Sequence, residues 1–171
     1  MNLRSSNNGE CKITECKTMT IEPRTQALIQ HLCFTYSIAT EDFELDSICN
    51  GYCETALNYE SEEYLVLDDD EREAAISEYI KETLWAFNAD FLQAYTPDGV
   101  DADTIRIIQE KYEDGNEALW RLCGFDNDKD FASFVSDCVS ADGYGHFLNR
   151  HDGNEDEQVV DGEYFYIYRT N

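Results

Sequence analysis

Apolar residues recur at helical spacing over most of this chain and change to alternation only near its end. Pro23 suits the first turn of a helix. Ala27, Leu28, Leu32, Cys33, Tyr36 and Ala39 then follow at helical spacing. No Asp, Glu, Lys or Arg lies between Thr25 and Thr40, so this helix is expected to be the most buried, with His31 at the edge of the core. Thr40 is the expected N-cap of a second helix, with Glu41 and Asp42 in its first turn and Leu45, Ile48, Cys49, Tyr52, Cys53 and Ala56 as its apolar stripe. On that stripe Cys49 and Cys53 pack in the core. A connection over 60–70 holds one short apolar piece, Tyr64 to Leu67, read as an edge strand.

The strongest helical pattern runs from Asp70 to Tyr95 and stops at Pro97, burying Ile76, Ile80, Leu84, Phe87, Phe91 and Tyr95 with Trp85 beside them. Asp68, Asp69 and Asp70 precede it, where an N-cap and first turn favour negative charge. Asp101 or Asp103 opens a further helix, with Ile105, Ile108 and Tyr112 inward, and Asp114-Gly115 is read as its end. A short helix from Asn116 to Cys123 presents Leu119, Trp120 and Leu122 and ends at Gly124. Asp128 or Asp130 caps another, through Ala141, with Phe131, Phe134, Val135 and Cys138 inward. At the end Tyr164, Tyr166 and Tyr168 alternate with Phe165 and Ile167, the period of a strand. The pattern predicts an α+β fold: a mostly helical single domain of about five to six helices with a C-terminal antiparallel β-hairpin. Residues 1–18 are read as a loose polar arm, which Met19 as a start would make an upstream extension. Residues 19–141 are read as helical and 142–171 as the hairpin.

Charge changes this picture most. The chain has 171 residues, enough for one core, with 37 acids against 12 bases, a net charge of −25. The arm is not the cause, because it holds three of the bases. Solubility needs far less net charge than this, and such self-repulsion opposes compaction. A surface so negative is repelled by nucleic-acid phosphates and by anionic membranes, so neither is an expected direct partner. The longest uncharged stretch is also too short and too polar to span a bilayer. Seven cysteines, an odd number, with no apolar leader, point to reduced thiols in a cytoplasm.

The acid is densest from Glu41 to Glu73, where thirteen carboxylates meet one base, Arg72. Phe43, Leu45, Ile48, Tyr52, Leu57 and Tyr64 to Leu67 are woven through it, so the run is expected to fold instead of forming a disordered acidic tail. The candidate partner-binding residues are Glu41, Asp42, Glu44, Asp46, Glu54, Glu60, Glu62, Glu63, Asp68, Asp69, Asp70, Glu71 and Glu73, continued along the next helix by Glu78 and Glu82. Between the acids Tyr52, Tyr59 and Tyr64 are candidates for contact or for core.

Other chemistry is thinner. Cys11 and Cys16 are loosely spaced for a zinc knuckle and lack a second pair. Residues 126–137 imitate a calcium loop but place Phe131 where Gly is required. Residues 152–163 do so with Asp152, Asn154, Asp156 and Glu163, but Glu157 replaces that Gly. No metal or other cofactor is expected. A hydrolase would need Cys138 as nucleophile, His146 or His151 as base and an aspartate such as Asp142. No nucleophile elbow, phosphate loop or HExxH supports it, and negative surroundings raise a thiol's pKa, so no catalytic residue is assigned.

In size, acidity and reduced cysteine content the chain resembles the phage- and plasmid-encoded DNA-mimic inhibitors, the antirestriction and anti-CRISPR proteins. The tail, DGYGHFLNRHDGNEDE followed by YFYIYRTN, is similar to the C-terminal segments of small phage and mobile-element proteins. The likeness is one of composition, and no family residue carries over. It implies a protein that occupies the basic DNA groove of a host defence enzyme, a restriction–modification complex or a CRISPR effector, in the host cytoplasm. A homodimer would lengthen the charged surface. The alternatives are an immunity protein against a basic nuclease toxin, a regulator that mimics DNA toward a histone-like protein, a halophile's acidic protein, and the small Cys/His hydrolase.

Overall fold

The computed structural model describes residues 21–111, 113–126 and 128–171, and the expected arm lies outside them. Helix α1 (Pro23–Tyr36) starts with Pro23 in its first turn. It ends at Ser37, whose φ of 56° lets the Ile38 N–H reach the Cys33 carbonyl at 3.0 Å. Its inner face buries Ala27, Leu28, Ile29, His31 and Leu32. Tyr36 is half-exposed, and Ala39 lies beyond the helix on the surface.

The helix expected after Thr40 does not form. Residues Thr40–Asp42 and Leu45–Ser47 make single 3-10 turns, followed by strands β1 (Ile48–Asn50) and β2 (Ala56–Tyr59). The apolar spacing there matched a helix only by coincidence. The decisive partner is β3 (Glu62–Leu67), which pairs with β2 across a two-residue turn at Glu60 and Ser61. With the chain drawn into that ladder, Cys49 and Cys53 are exposed and not core residues. The strand at Tyr64 to Leu67 is also central, not an edge.

Strands β4 (Asp156–Val160) and β5 (Glu163–Arg169) form the expected hairpin, closed by Asp161-Gly162. Both turn residues have positive φ, 54° and 90°, the geometry of a two-residue hairpin that matches strand twist. The hairpin does not stand alone. β5 pairs with β3, giving one antiparallel sheet in the order β1-β2-β3-β5-β4. Its two faces bury different cores. Leu57, Tyr64, Val66, Phe165 and Ile167 meet α1. Leu67, Tyr166 and Tyr168 meet the remaining helices.

Those helices are α2 (Asp69–Glu82), α3 (Ala89–Gln93), α4 (Ala102–Gln109), α5 (Glu113–Leu122) and α6 (Asp128–Leu148). The single helix expected over 70–95 is thus broken. Thr83 Oγ1 donates back to the Tyr79 carbonyl at 2.7 Å, a 3-10 turn follows at Leu84–Ala86, and Asn88 caps α3. Side chains from distant helices satisfy the freed backbone: Gln109 donates to the Phe87 carbonyl at 2.7 Å, and Asn116 accepts the Trp85 N–H at 3.0 Å. Asp101 caps α4 as expected, accepting the Thr104 N–H at 2.8 Å. Tyr112 lies outside the described residues. Asp114-Gly115 does not end a helix; it lies inside α5, where Gly115 lets the backbone approach the Ile108 carbonyl.

Helix α6 runs past the expected end at Ala141 and turns at Gly143, where φ is 77° and ψ 161°. The residues after this kink, 144–148, form a further helical turn and are not part of the hairpin. This turn packs Gly145 against the backbone of Gly153 and Asn154, closer than any side chain allows. Asn149 then ties the loop together, donating to the Asn154 carbonyl at 2.8 Å and accepting the His151 N–H at 2.9 Å. At the centre Arg72 of α2 lies over the rings of Tyr166 and Tyr144, 3.5 and 4.2 Å from their centroids. It pairs with Asp69 at 2.9 Å and Glu155 at 3.4 Å, joining α2, α6 and β5.

Candidate protein-binding surface

The carboxylates of the acidic run divide into two sets. One set holds the fold. Asp68 caps α2, accepting the Glu71 N–H at 2.9 Å, and Glu71 returns the bond by accepting the Asp68 N–H at 2.9 Å. Glu71 also receives Arg24 Nη2 of α1 at 2.7 Å. Glu62 pairs with Arg169 at 2.8 Å and accepts the hydroxyls of Tyr36 and Tyr64. Thr170 Oγ1 donates to Glu63 at 2.8 Å, and the Tyr144 hydroxyl donates to Glu73. Asp69 is engaged by Arg72 as above.

Electrostatics follow these contacts. Burial alone would raise the Glu62 carboxyl, but the Tyr36 and Tyr64 hydrogen bonds and the Arg169 charge outweigh it and hold it below its ordinary value. Glu71 behaves the same way, with burial opposed by Arg24 and the Asp68 N–H.

The second set makes no side-chain contact within the fold, and of its members on α2 only Asp70, in the first turn, favours the helix dipole. Glu41, Asp42, Glu44, Asp46, Glu54, Glu60, Asp70, Glu78 and Glu82 are all exposed. Among the described residues, none of their carboxylates has a hydrogen-bond or ion-pair partner. The first six lie on the turns and strands leading to β3, and the last three on α2. Sequence density missed further exposed acids of this kind, including Asp98, Glu110, Asp142 and Asp161, because they are scattered singly along the chain.

Cations do little to offset this set. Arg24, Arg72 and Arg169 are committed as described. Arg106 is held by Asp103 at 2.7 Å and Asp90 at 3.1 Å, Arg121 is held by Glu117, and Lys81 lies over the Trp120 ring. Of the tyrosines, Tyr52 is 69% exposed, Tyr59 stacks on Phe43, and Tyr64 is buried beside His31. Of these three, Tyr52 is the one whose ring is mostly exposed to a partner.

The other candidate chemistry does not assemble. Cys138 is buried on α6, and burial, with Asp137 and Asp142 nearby, pushes its thiol up to about 12. His146 and His151 are exposed. His31 is buried, and desolvation lowers its pKa against the opposing charges of Asp156, Glu62 and Asp152. Asp152 folds onto its own loop, accepting the Asn154 N–H at 3.0 Å, while Asp156 and Glu163 lie in separate strands. Among the described residues no His, Cys, Asp and Glu group has the arrangement of a metal site. Cys11 and Cys16 fall outside them. No helix among the described residues is long and apolar enough to cross a membrane. No family model, curated protein or solved structure matches the chain.

Proposed function

We propose that this protein is a folded polyanion that binds a basic, DNA-binding protein of a host and occupies its DNA groove, as DNA-mimic inhibitors do. The observation that carries this reading is the second set of carboxylates. A fold that ties up most of its arginines internally, yet leaves so many acids unpaired, keeps a field that serves nothing inside the molecule. Duplex DNA presents about one charge per 1.7 Å of axis, so 25 net charges correspond to about a dozen base pairs. Along α2, Asp70 and Glu82 lie about 18 Å apart along the helix axis, at a rise of about 1.5 Å per residue. Association with a basic groove is then steered electrostatically and weakened by salt.

The test is capture from nuclease-treated bacterial lysate on the immobilised protein, eluted by rising salt and by duplex DNA. The reading expects a DNA-binding protein that duplex DNA displaces. It also expects retention to fail when Asp70, Glu78 and Glu82 are changed to lysine. A captured protein that DNA does not displace, or no retention at low salt, refutes it.

A further inference from the structure

On the helical side of the sheet, coverage stops short. Helices α2 and α6 lie over β3 and β5, and among the described residues no helix lies on β1 and β2 there, where exposed Cys49 and half-buried Asn58 share the face of Leu65. Where coverage ends there is a cleft of about 560 Å³. Its floor is apolar: Leu65 and Leu67 of β3, Ala75 and Tyr79 of α2, and Phe147 and Leu148 of α6. Its rim is acidic. Glu78 and Glu82 line it without partners, Glu63 lines it while held by Thr170, and Arg150 is the one cation among the lining residues. Exposed Tyr52 and the free thiol of Cys53 close the end formed by the β1–β2 turn.

We infer that this cleft is the anchoring site for a basic segment of the partner protein. One large apolar side chain of that segment enters the floor while flanking lysines or arginines meet Glu78 and Glu82. The inference rests on the reading of the protein as a binder of basic proteins and adds where and how the partner is gripped. Charge complementarity selects the occupant. An acidic rim repels nucleic acid and acidic peptides, and an apolar floor gives a purely cationic chain nothing to bury. The wider cleft on the other side of α2 fits such a segment less well. Glu78 and Glu82 reach it too, but Lys81 and Arg121 share its rim, and Lys81 already lies over the Trp120 ring that lines it. A field alone gives fast, salt-sensitive and unselective capture. An apolar anchor adds contact energy that salt does not screen, as in the buried centres of other protein interfaces.

The experiment uses the full chain and two short lysine-rich peptides that differ only at a central position, phenylalanine or alanine. At high salt the phenylalanine peptide is expected to bind about tenfold tighter, the return on burying one large apolar side chain. Ala75→Trp, which fills the floor, is expected to abolish that difference and leave the weak, salt-sensitive binding common to both peptides.

A second measurement needs no variant. Cys53 lines the cleft, whereas Cys49 is exposed outside its lining. With the phenylalanine peptide at about ten times its Kd, iodoacetamide should alkylate Cys53 about tenfold more slowly, with Cys49 unaffected. Equal affinity of the two peptides, or equal rates at Cys53 with and without peptide, overturns the cleft while leaving the basic-partner reading intact. If neither peptide binds at low salt, the basic-partner reading fails, and the cleft assignment fails with it.

Discussion

Two charge reversals on one helix, Glu82→Lys and Asp68→Lys, alter the net charge identically, from −25 to −23, yet should move stability in opposite directions. Glu82 is the last residue of α2, exposed, without a partner, and four residues after Glu78. A carboxylate there opposes the helix dipole, and lysine in its place gains about 0.3–1 kcal/mol. The like-charge pair with Glu78, worth about 0.2–0.5 kcal/mol against the helix, becomes a Glu-to-Lys pair in the favourable order, worth a similar amount. The sum is a gain of about 1 kcal/mol or somewhat more, and for a chain of this length each kcal/mol moves Tm by about 2–4 °C.

Asp68→Lys removes the side chain that accepts the Glu71 N–H. It also places a cation at the positive end of α2. Loss of the cap costs about 0.5–2 kcal/mol and the reversed dipole interaction about 0.3–1 kcal/mol more. Far-UV circular dichroism melts at low salt should therefore show Glu82→Lys melting a few degrees above the parent and Asp68→Lys several degrees below it. Affinity for a lysine-rich peptide should fall for Glu82→Lys despite its higher stability. A Glu82→Lys protein that melts below the parent would show that this carboxylate supports the fold, and the division into two sets would be wrong.

Arg72→Ala should be the most damaging single change outside the apolar core. It removes two cation–π contacts and the ion pairs to Asp69 and Glu155, although Glu155 keeps the Tyr168 hydroxyl, and a loss of about 1–3 kcal/mol, or about 2–12 °C in Tm, is expected. Arg72→Lys, which keeps the charge but not the planar stack, should lose less. Gly145→Ala sets a Cβ 2.7 Å from the Asn154 carbonyl carbon, and overpacking of this kind costs about 1–3 kcal/mol; a denaturant melt with an unchanged midpoint would contradict the close approach.

His31 supplies a pH test. Its pKa is lowered in the folded state, so below its unfolded value of about 6.5 the unfolded chain binds more protons. The stability it permits is complete above that pH and is lost as pH falls through the folded value. His31→Gln should thus gain on the parent in Tm as pH drops from about 7 toward 5, with no relative change above 7. Parallel curves would place His31 in solvent. Glu62 and Glu71, both lowered, add a further loss of stability only below their ordinary range near 4.5.

What the sequence revealed and what it hid divide along chain distance. Pro23 before an uncharged amphipathic run, the Asp68–Asp70 cluster ahead of α2, an aspartate at Asp101 or Asp103 opening α4, and the alternation of Tyr164 to Tyr168 each encode their structure within a few residues. All of these were legible. The stretch from Thr40 to Ala56 was not, because its fate depends on β3 and, through β3, on β5: Tyr64 pairs with Arg169 at the far end of the chain. The break after Glu82 was hidden for the same reason, since Gln109 and Asn116 compensate the lost helical bonds.

The acidic site divides along the same line. Density alone marked all fifteen carboxylates as one surface. The fold withdraws Glu71 by means of Arg24, Glu73 by means of Tyr144, and Glu62 by means of Arg169, partners 47, 71 and 107 residues away. Nothing near those acids in sequence announces such pairs. The charge that remains after the subtraction, on Glu41 to Glu60 and on Asp70, Glu78 and Glu82, opposes compaction and, at Glu82, opposes its own helix. Residues that work locally against the fold are expected where function requires them. For that reason the residual acids, rather than the densest run of acid, make up the surface proposed to meet a basic partner.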